Sequence, residues 1–228
     1  MQFESTLRSA IIKAARAMNR GKADFATFRT SFCNPEFWIL TNEGGFRLRD
    51  SVTPAEGIQD IFANGNQYGF ECATAIIIVL YKGVLDALGE ETFNKLFPKL
   101  HLYSWQHDSD LALIQKHDPS ANAQPGDVLY FKNPEVDPET MEWRGENVIK
   151  ISDDLYFGHG IGIKSAEGII ASLNKHRAPE ATETAYLEDQ FLYPDFNALS
   201  KYAPADERPS SRKAAIIATI GERRYVLH

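Results

Sequence analysis

The segment Gly69 to Ala75 places a cysteine directly before a long apolar run. Cys72 follows a glycine-bearing turn, and the pattern predicts one helix from Ala73 to Leu88 that ends at Gly89. A thiol in the first turn of a helix lies near the positive end of the helix dipole and near unpaired N–H groups. Both favour the thiolate, and the same N–H groups can hold an oxyanion, so we predict that Cys72 is a nucleophile. The alternative is a buried structural cysteine.

A thiol nucleophile needs a proton acceptor and a group that orients it. His159 lies in the segment Phe157 to Ile163, where we predict that it opens a strand with a glycine on either side. Asp127 follows a Pro-Gly turn and begins a predicted core strand, as a residue that caps the turn. The order of Cys72, Asp127 and His159 resembles NlpC-type papain-like cell-wall peptidases, which implies a Cys–His pair. The plain alternative for His159 is a turn histidine.

Longer motifs match a second family more closely. They are Phe70 to Ala75, Phe131 to Pro138, Trp143 to Ile149, Tyr156 to Gly160 and Lys22 to Phe28. Together these motifs resemble the small bacterial spore-coat transglutaminases, and the similarity runs from about Leu7 to Leu199. The resemblance implies a papain-like core, calcium independence, and neither a metal nor another cofactor. It also implies a protein-glutamine γ-glutamyltransferase that forms ε-(γ-glutamyl)lysine isopeptide crosslinks through a cysteine thioester.

The same resemblance assigns roles to individual residues. Cys72 matches the nucleophile, Glu146 matches its glutamate partner, and Glu71 matches a partly redundant substitute for that glutamate. His159 keeps the position of the papain-like histidine, as a supporting residue or a second partner. Burial and a neighbouring carboxylate would raise the pKa of Glu146, while the helix end would lower that of Cys72. We therefore expect Cys72 and Glu146 to share a proton near neutrality.

Aromatic side chains near these motifs are candidates to line the approach of both substrates and to exclude water. They are Tyr68, Phe70, Trp105, Trp143 and Trp38, with core packing as the alternative for each. Asn147 and Arg144 flank Glu146 and are placed to orient it, unless they only solvate a strand edge. Cys33 lies at a turn with no base near it in sequence, so we predict a structural role for it.

The order of predicted elements gives an α+β fold, because helices come first and several strands follow in series. Helices are predicted from Leu7 to Met18, after Pro54, and behind Cys72. Strands are predicted at 100–105, 127–131, 146–151, 160–164 and 168–171. We expect the nucleophile-bearing helix to pack on an antiparallel sheet, with extra N-terminal helices.

We expect a single domain over residues 1–202, with a papain-like core at about 66–175. The remainder, 203–228, is predicted to be a linker and a short extension that carries an apolar strand from Ala214 to Ile220.

Composition and charge limit the classes of binding partner that the sequence predicts. The net charge of −7 and pI of about 5.4 do not suit nucleic acid or an anionic membrane, and no apolar run approaches a membrane span. Two cysteines are too few for a disulfide framework, which favours a reducing compartment. We expect protein substrates, one a glutamine donor and one a lysine acceptor, and a monomer.

The start of the chain does not resemble a signal peptide. The expected location is the cytoplasm or the spore coat, with secretion as the alternative if the chain is a domain excised from an effector.

Three other functions stay open from the sequence. A glutamine deamidase or toxin domain would use the same site with water as the acceptor. An NlpC-type peptidase or amidase would use the same nucleophile but rely on His159. A non-enzymatic coat or scaffold module would keep the fold without a reactive thiol.

Overall fold

A computed structural model of the protein covers residues 2–107 and 109–204, together with the backbone of 216–220 and 223–227. Its helices are α1 (Gln2–Arg20), α2 (Pro54–Ala63), α3 (Cys72–Leu88), α4 (Glu90–Leu96), α5 (Ala166–Asn174) and α6 (Phe196–Ser200). Within these ranges, each helix is too short or too polar to cross a bilayer.

The strands include three small groups and one large sheet. Up to residue 132 they are β1 (Asp24–Phe25), β2 (Trp38–Leu40), β3 (Phe46–Leu48), β4 (Gly69–Phe70), β5 (His101–Leu102), β6 (Leu113–Lys116) and β7 (Val128–Lys132). After it they are β8 (Gly145–Ser152), β9 (Leu155–Gly158), β10 (Gly162–Lys164), β11 (Tyr186–Leu187), β12 (Phe191–Pro194), β13 (Ile216–Ile220) and β14 (Arg223–Leu227).

Helices α1 and α3 form the centre of the core. The apolar face of α1, which includes Leu7, Ile11 and Met18, is buried, and it packs against the almost wholly buried α3. A Cβ on Gly83 would lie 2.6 Å from Ile11 Cγ1, so a glycine is what allows the two helices to approach this closely. The helix predicted from Leu7 to Met18 is confirmed and is longer at both ends.

The large sheet is antiparallel and follows the order β10-β9-β8-β7-β12-β6, with β11 also paired to β7. Strand β8 lies inside the sheet and is buried from Gly145 to Ile151. Its register on β7 places Glu146 opposite Phe131 and Asn147 opposite Tyr130. Helix α3 packs against β8, so the predicted α+β fold with a helix on an antiparallel sheet is confirmed.

One predicted strand is wrong. Residues 168–171 lie inside α5, because Ser165 caps this helix by accepting a hydrogen bond from the Gly168 N–H at 3.1 Å. Ile169 and Leu173, four residues apart, are the buried face of that helix. The short apolar run was compatible with either element, and the cap decides for the helix.

The prediction that His159 opens a strand is also wrong. His159 follows the end of β9 and lies in the turn before β10. The strand expected at 100–105 is limited to β5, and β6, β9 and β12 were not predicted. These strands are short, and β6 and β12 form because they pair with each other across a long stretch of sequence.

The C-terminal segment is described only in part. Strands β13 and β14 pair antiparallel, with Ile216 opposite Leu227. The first two residues of the predicted Ala214–Ile220 strand, and the predicted linker from 205 onward, lie outside the described residues.

Candidate active site

Glu71 caps the helix that carries the cysteine. Its carboxylate accepts hydrogen bonds from the N–H of Ala73 at 2.8 Å and of Thr74 at 2.7 Å, and from Thr74 Oγ1 at 2.8 Å. The Ala75 N–H bonds the Glu71 carbonyl oxygen at 3.0 Å. The expectation that the first-turn N–H groups are free to hold an oxyanion is therefore wrong for these three. The Cys72 N–H is the first-turn donor that Glu71 does not take.

The Cys72 thiol faces strand β8 and opens into a cleft. Asn147 Nδ2 donates a hydrogen bond to Cys72 Sγ at 3.3 Å. Burial, and then the charges of Glu146 and Glu71, raise the pKa of Cys72 to about 12, although both N–H donors of Asn147 lower it. The expected depression of this pKa is wrong, because burial disfavours the thiolate and the carboxylates of Glu146 and Glu71 add to that effect. Cys72 therefore rests as a thiol.

Glu146 carries a buried carboxyl group, and the residue is 3% exposed on the strand that faces the thiol. A Cβ on Gly158 would lie 2.8 Å from both Glu146 Cγ and Oε1, so only a glycine leaves room for this side chain. Glu146 Oε1 has no hydrogen-bond partner among the described residues. Burial, and then the charge of Glu71, raise the pKa of Glu146 well above its usual range, while the nearby His159 backbone N–H lowers it.

Cys72 and Glu146 are electrostatically coupled. After burial, the charge of Glu146 is the largest influence that raises the pKa of Cys72. Burial disfavours the anionic form of both groups, and the charge of Glu146 further disfavours the Cys72 thiolate. This arrangement can move a proton from sulfur to carboxylate without creating a second buried charge.

The His159 ring is occupied by contacts to the backbone and to Phe70, so it is not free to act as a base. Its Nε2 lies 3.1 Å from the Asp24 carbonyl oxygen, and its ring stacks on Phe70 with centroids 4.7 Å apart. Burial lowers the pKa of His159, so the ring is neutral. These contacts bind the turn after β9 to strands β1 and β4. His159 therefore helps to fix the backbone beside Glu146.

The cleft has a volume of about 910 Å³ and contains Cys72, Glu71 and Asn147 in its wall. Of the predicted aromatic residues, Trp105 lines this cleft. The other aromatic residues in its wall are Phe25, Phe28 and Tyr130. The first two belong to the Lys22 to Phe28 motif, for which the sequence predicts no role, and Tyr130 lies opposite Asn147 in register.

The remaining predicted aromatic residues do not line the cleft. Tyr68 is fully buried and donates its hydroxyl hydrogen to Asp60 Oδ2, and Phe70 and Trp38 are also buried in the core. Trp143 stacks on the His176 ring at 4.0 Å between centroids. Its ring centroid also lies 6.1 Å from that of Phe25, so it contacts a residue of the cleft wall. A periodic core pattern and a substrate wall use the same aromatic residues, which is why sequence did not separate them.

No three histidine, cysteine or acidic side chains lie together as metal ligands within the described ranges. Cys33 and Cys72 are both free thiols.

The fold and the cleft define an α+β protein that can carry an acyl group on a thiol at the start of a helix. The profile described as "Protein-glutamine gamma-glutamyltransferase" matches residues 1–203. Curated proteins of that name from Bacillus mycoides (strain KBAB4) and Bacillus cereus (strain B4264) are 46% and 45% identical to this chain over 227 residues. Each alignment covers 97% of this chain and 82% of the relative.

A solved structure, "Transglutaminase from Geobacillus stearothermophilus (without C-terminal extension)", matches with a TM-score of 0.85 and 48% identity. The match covers 89% of this chain and 96% of that one. The chain belongs to the protein-glutamine gamma-glutamyltransferase family. It is accordingly an acyltransferase that acts on protein substrates.

Proposed function

We propose that Cys72 is the nucleophile of this transferase, that Glu146 carries its protons, and that the product is an ε-(γ-glutamyl)lysine crosslink. The observation that carries this proposal is a buried carboxyl group with an unpartnered oxygen, coupled to a thiol in the wall of an open cleft. A buried polar atom without a partner costs stability, so a proton-carrying role accounts for its presence.

The first half-reaction moves the acyl group to sulfur. Ionised Glu146 takes the thiol proton as Cys72 Sγ bonds to the carboxamide carbon of a protein glutamine, and the C=O electron pair moves to oxygen. When the C=O bond reforms, the C–N bond breaks and Glu146 returns the proton to the leaving ammonia. A γ-glutamyl thioester on Cys72 remains.

The second half-reaction uses a neutral lysine ε-amine. Its nitrogen bonds to the thioester carbon while Glu146 accepts one amine proton. The C–S bond then breaks, and the sulfur recovers the proton from Glu146. The resting thiol and the isopeptide bond are formed together, so glutamine plus lysine gives crosslink plus ammonia.

Glu71 and His159 have different supporting roles in this proposal. Glu71 holds the helix start and keeps its carboxylate engaged, so it replaces Glu146 as proton carrier only by releasing the cap. His159 is neutral and fixes the turn whose backbone N–H lies beside Glu146. Every proton and charge in the two half-reactions is supplied by side chains, and we therefore propose that calcium is not required.

Water as the acceptor would make the same site a glutamine deamidase. The aromatic residues Phe25, Phe28, Trp105 and Tyr130 in the cleft wall favour an amine carried on an alkyl chain over water, because they lower the polarity of the approach. Transfer is therefore the proposed main reaction, and deamidation is the second candidate.

We further propose a monomer that acts on a glutamine donor and a lysine acceptor in the cytoplasm or the spore coat. The acidic surface, with a net charge of −7, supports protein substrates over nucleic acid or anionic membrane. Light scattering would test the monomer directly.

The decisive experiment is incorporation of a fluorescent primary amine into casein with EDTA present, for wild type and Cys72→Ala. We expect incorporation by the wild type and background for the variant. Signal that requires added calcium would overturn calcium independence, and ammonia release without incorporation would establish deamidation.

A second pair of variants separates the transferase from an NlpC-type peptidase. Loss of activity with Glu146→Gln, and partial retention with His159→Ala, is the result expected for the transferase. The reverse order would support the peptidase.

A further inference from the structure

The tetrahedral intermediate needs two hydrogen-bond donors, and the helix start alone does not provide them. Oxyanion holes place donors about 2.7–3.1 Å from the charged oxygen. The Ala73 and Thr74 N–H groups already bond the Glu71 carboxylate, at 2.8 and 2.7 Å. Of the first-turn donors, the Cys72 N–H is the one left for the substrate, so a second donor must come from another element.

Asn147 is the polar donor that strand β8 brings to the sulfur. Its Nδ2 lies 3.3 Å from Cys72 Sγ, and the same side chain is part of the cleft wall. An acyl oxygen is only two bonds from the sulfur, so a donor that touches Sγ is also within reach of that oxygen.

The position of Asn147 is fixed before substrate arrives. Its backbone is paired within β8, opposite Tyr130 of β7, and the residue is only 8% exposed. A preorganised neutral amide suits this site because Glu71 and Glu146 already bring two carboxyl groups close to the thiol. A cationic donor would pair with one of those carboxylates instead.

We propose that Asn147 is a catalytic residue whose side-chain amide, together with the Cys72 N–H, forms the oxyanion hole. This inference rests on the proposed role of Cys72 as the acyl carrier. The tetrahedral intermediate is bonded to Cys72 Sγ, its oxygen accepts from Asn147 Nδ2, and no proton moves from the amide. Collapse returns the electron pair to the C=O bond and expels ammonia.

Two reactions of the same thiol separate an oxyanion donor from a structural residue. Acyl transfer from a glutamine peptide to hydroxylamine passes through a tetrahedral oxyanion, whereas alkylation by iodoacetamide displaces iodide and forms none. For Asn147→Ala we expect kcat for acyl transfer to fall about 10²–10³-fold with KM little changed. Losing the Asn147 hydrogen bond should raise the pKa of Cys72, so the pH midpoint of alkylation should be higher than in wild type. The alkylation rate should fall only by the resulting loss of thiolate.

Three controls make the test decisive. Circular dichroism and the melting temperature show whether Asn147→Ala folds, and Asn147→Ser should recover part of kcat because it keeps a short donor. Asn197→Ala changes an exposed asparagine on α6, which is outside the cleft wall, and should match wild type.

The outcomes distinguish this inference from the proposed function. Equal losses in transfer and alkylation, or a kcat within tenfold of wild type, would overturn the role of Asn147 and leave Cys72 in place. If wild type releases ammonia without transfer, the same variants are compared by ammonia release, since deamidation passes through the same oxyanion. A wild type with neither activity would sink the proposed function, and Asn147 with it.

Discussion

Two regions of the protein each combine a free cysteine, an asparagine and a buried acid, and they differ in how completely the acid is bonded. In the first, Asp60 Oδ2 accepts from Asn34 Nδ2 at 2.9 Å and from the Tyr68 hydroxyl, and Asp60 Oδ1 accepts from Asn64 Nδ2 at 2.6 Å. In this region, which we call the Asp60 network, Cys33 packs against the core, and burial raises its pKa to about 11.

The second region, the Glu146 site, holds Glu146, Asn147 and Cys72. Here one carboxyl oxygen has no partner among the described residues, and the asparagine donates to the sulfur instead of to the acid. The thiol lines a cleft of about 910 Å³. A satisfied buried acid stabilises the fold, whereas an unsatisfied one costs stability and is free to exchange a proton.

Removing each thiol should give the largest contrast. Cys72→Ala is expected to reduce amine incorporation to background because the acyl carrier is lost. Cys33→Ala should retain most of the activity, since Cys33 lies in the core and not in the cleft wall. The fluorescent amine assay with casein measures both, and loss of activity in a folded Cys33→Ala would end the comparison.

Neutralising each acid should separate activity from stability. For Glu146→Gln we expect kcat to fall about 10²–10⁴-fold through loss of the proton carrier. Asp60→Asn should keep its kcat while folded but lose about 1–3 kcal/mol of unfolding free energy, because an amide nitrogen replaces one of the accepting oxygens. Kinetics and urea unfolding give the two values, and the opposite assignment of effects would contradict the roles of these regions.

The alkylation profile of Cys72 should sharpen the electrostatic part of the comparison. The charges of Glu146 and Glu71 raise the pKa of Cys72, so removing either charge lowers it. We expect Glu146→Gln to be alkylated by iodoacetamide at a lower pH than wild type although it transfers acyl groups more slowly. An unchanged or higher midpoint would show that Glu146 does not act on this thiol. Measuring both proteins with Cys33→Ala in place leaves Cys72 as the thiol that is alkylated.

The pH dependence of the melting temperature should show the smallest difference between wild type and Glu146→Gln. The pKa of Glu146 is raised in the folded protein, so its stabilising contribution is present below the unfolded value of about 4.3 and is lost as pH rises through the folded pKa. Melting temperatures between pH 5 and 8 should therefore fall less for Glu146→Gln than for wild type. Glu56, whose pKa is lowered by Thr53, has the opposite sign and its contribution is lost as pH falls, so Glu56→Gln is the matched control.

Local sequence patterns predicted the helices whose start residues and apolar spacing can be read from residues a few positions apart. The helix predicted at Pro54 forms as α2, and the structure adds a capping box between Thr53 and Glu56. The apolar face of α1 and the long α3 followed from helical spacing. The run 168–171 fits a strand as well as a helix because its four residues are apolar or small, and the Ser165 cap is the local signal that selects the helix.

The site was predictable only where a motif names a residue. Cys72, Glu71 and Glu146 are close together in the structure, and their catalytic roles stay a prediction. Tyr68 and Phe70 are buried in the core, and aromatic composition alone does not reveal which face of a segment is buried. The neighbour relation between Asn147 and the thiol spans 75 residues of sequence, so no local pattern could reveal it.

The sequence by itself determined helices α1, α2 and α3, the cysteine at the start of α3 and the family resemblance, because these depend on residue type and short spacing. Only the tertiary structure decided the protonation of the site. It placed Glu146 against Gly158 without a partner for one oxygen, and Asn147 on the sulfur. Burial and distance set the pKa values of these groups, and both arise only when α3 packs against β8.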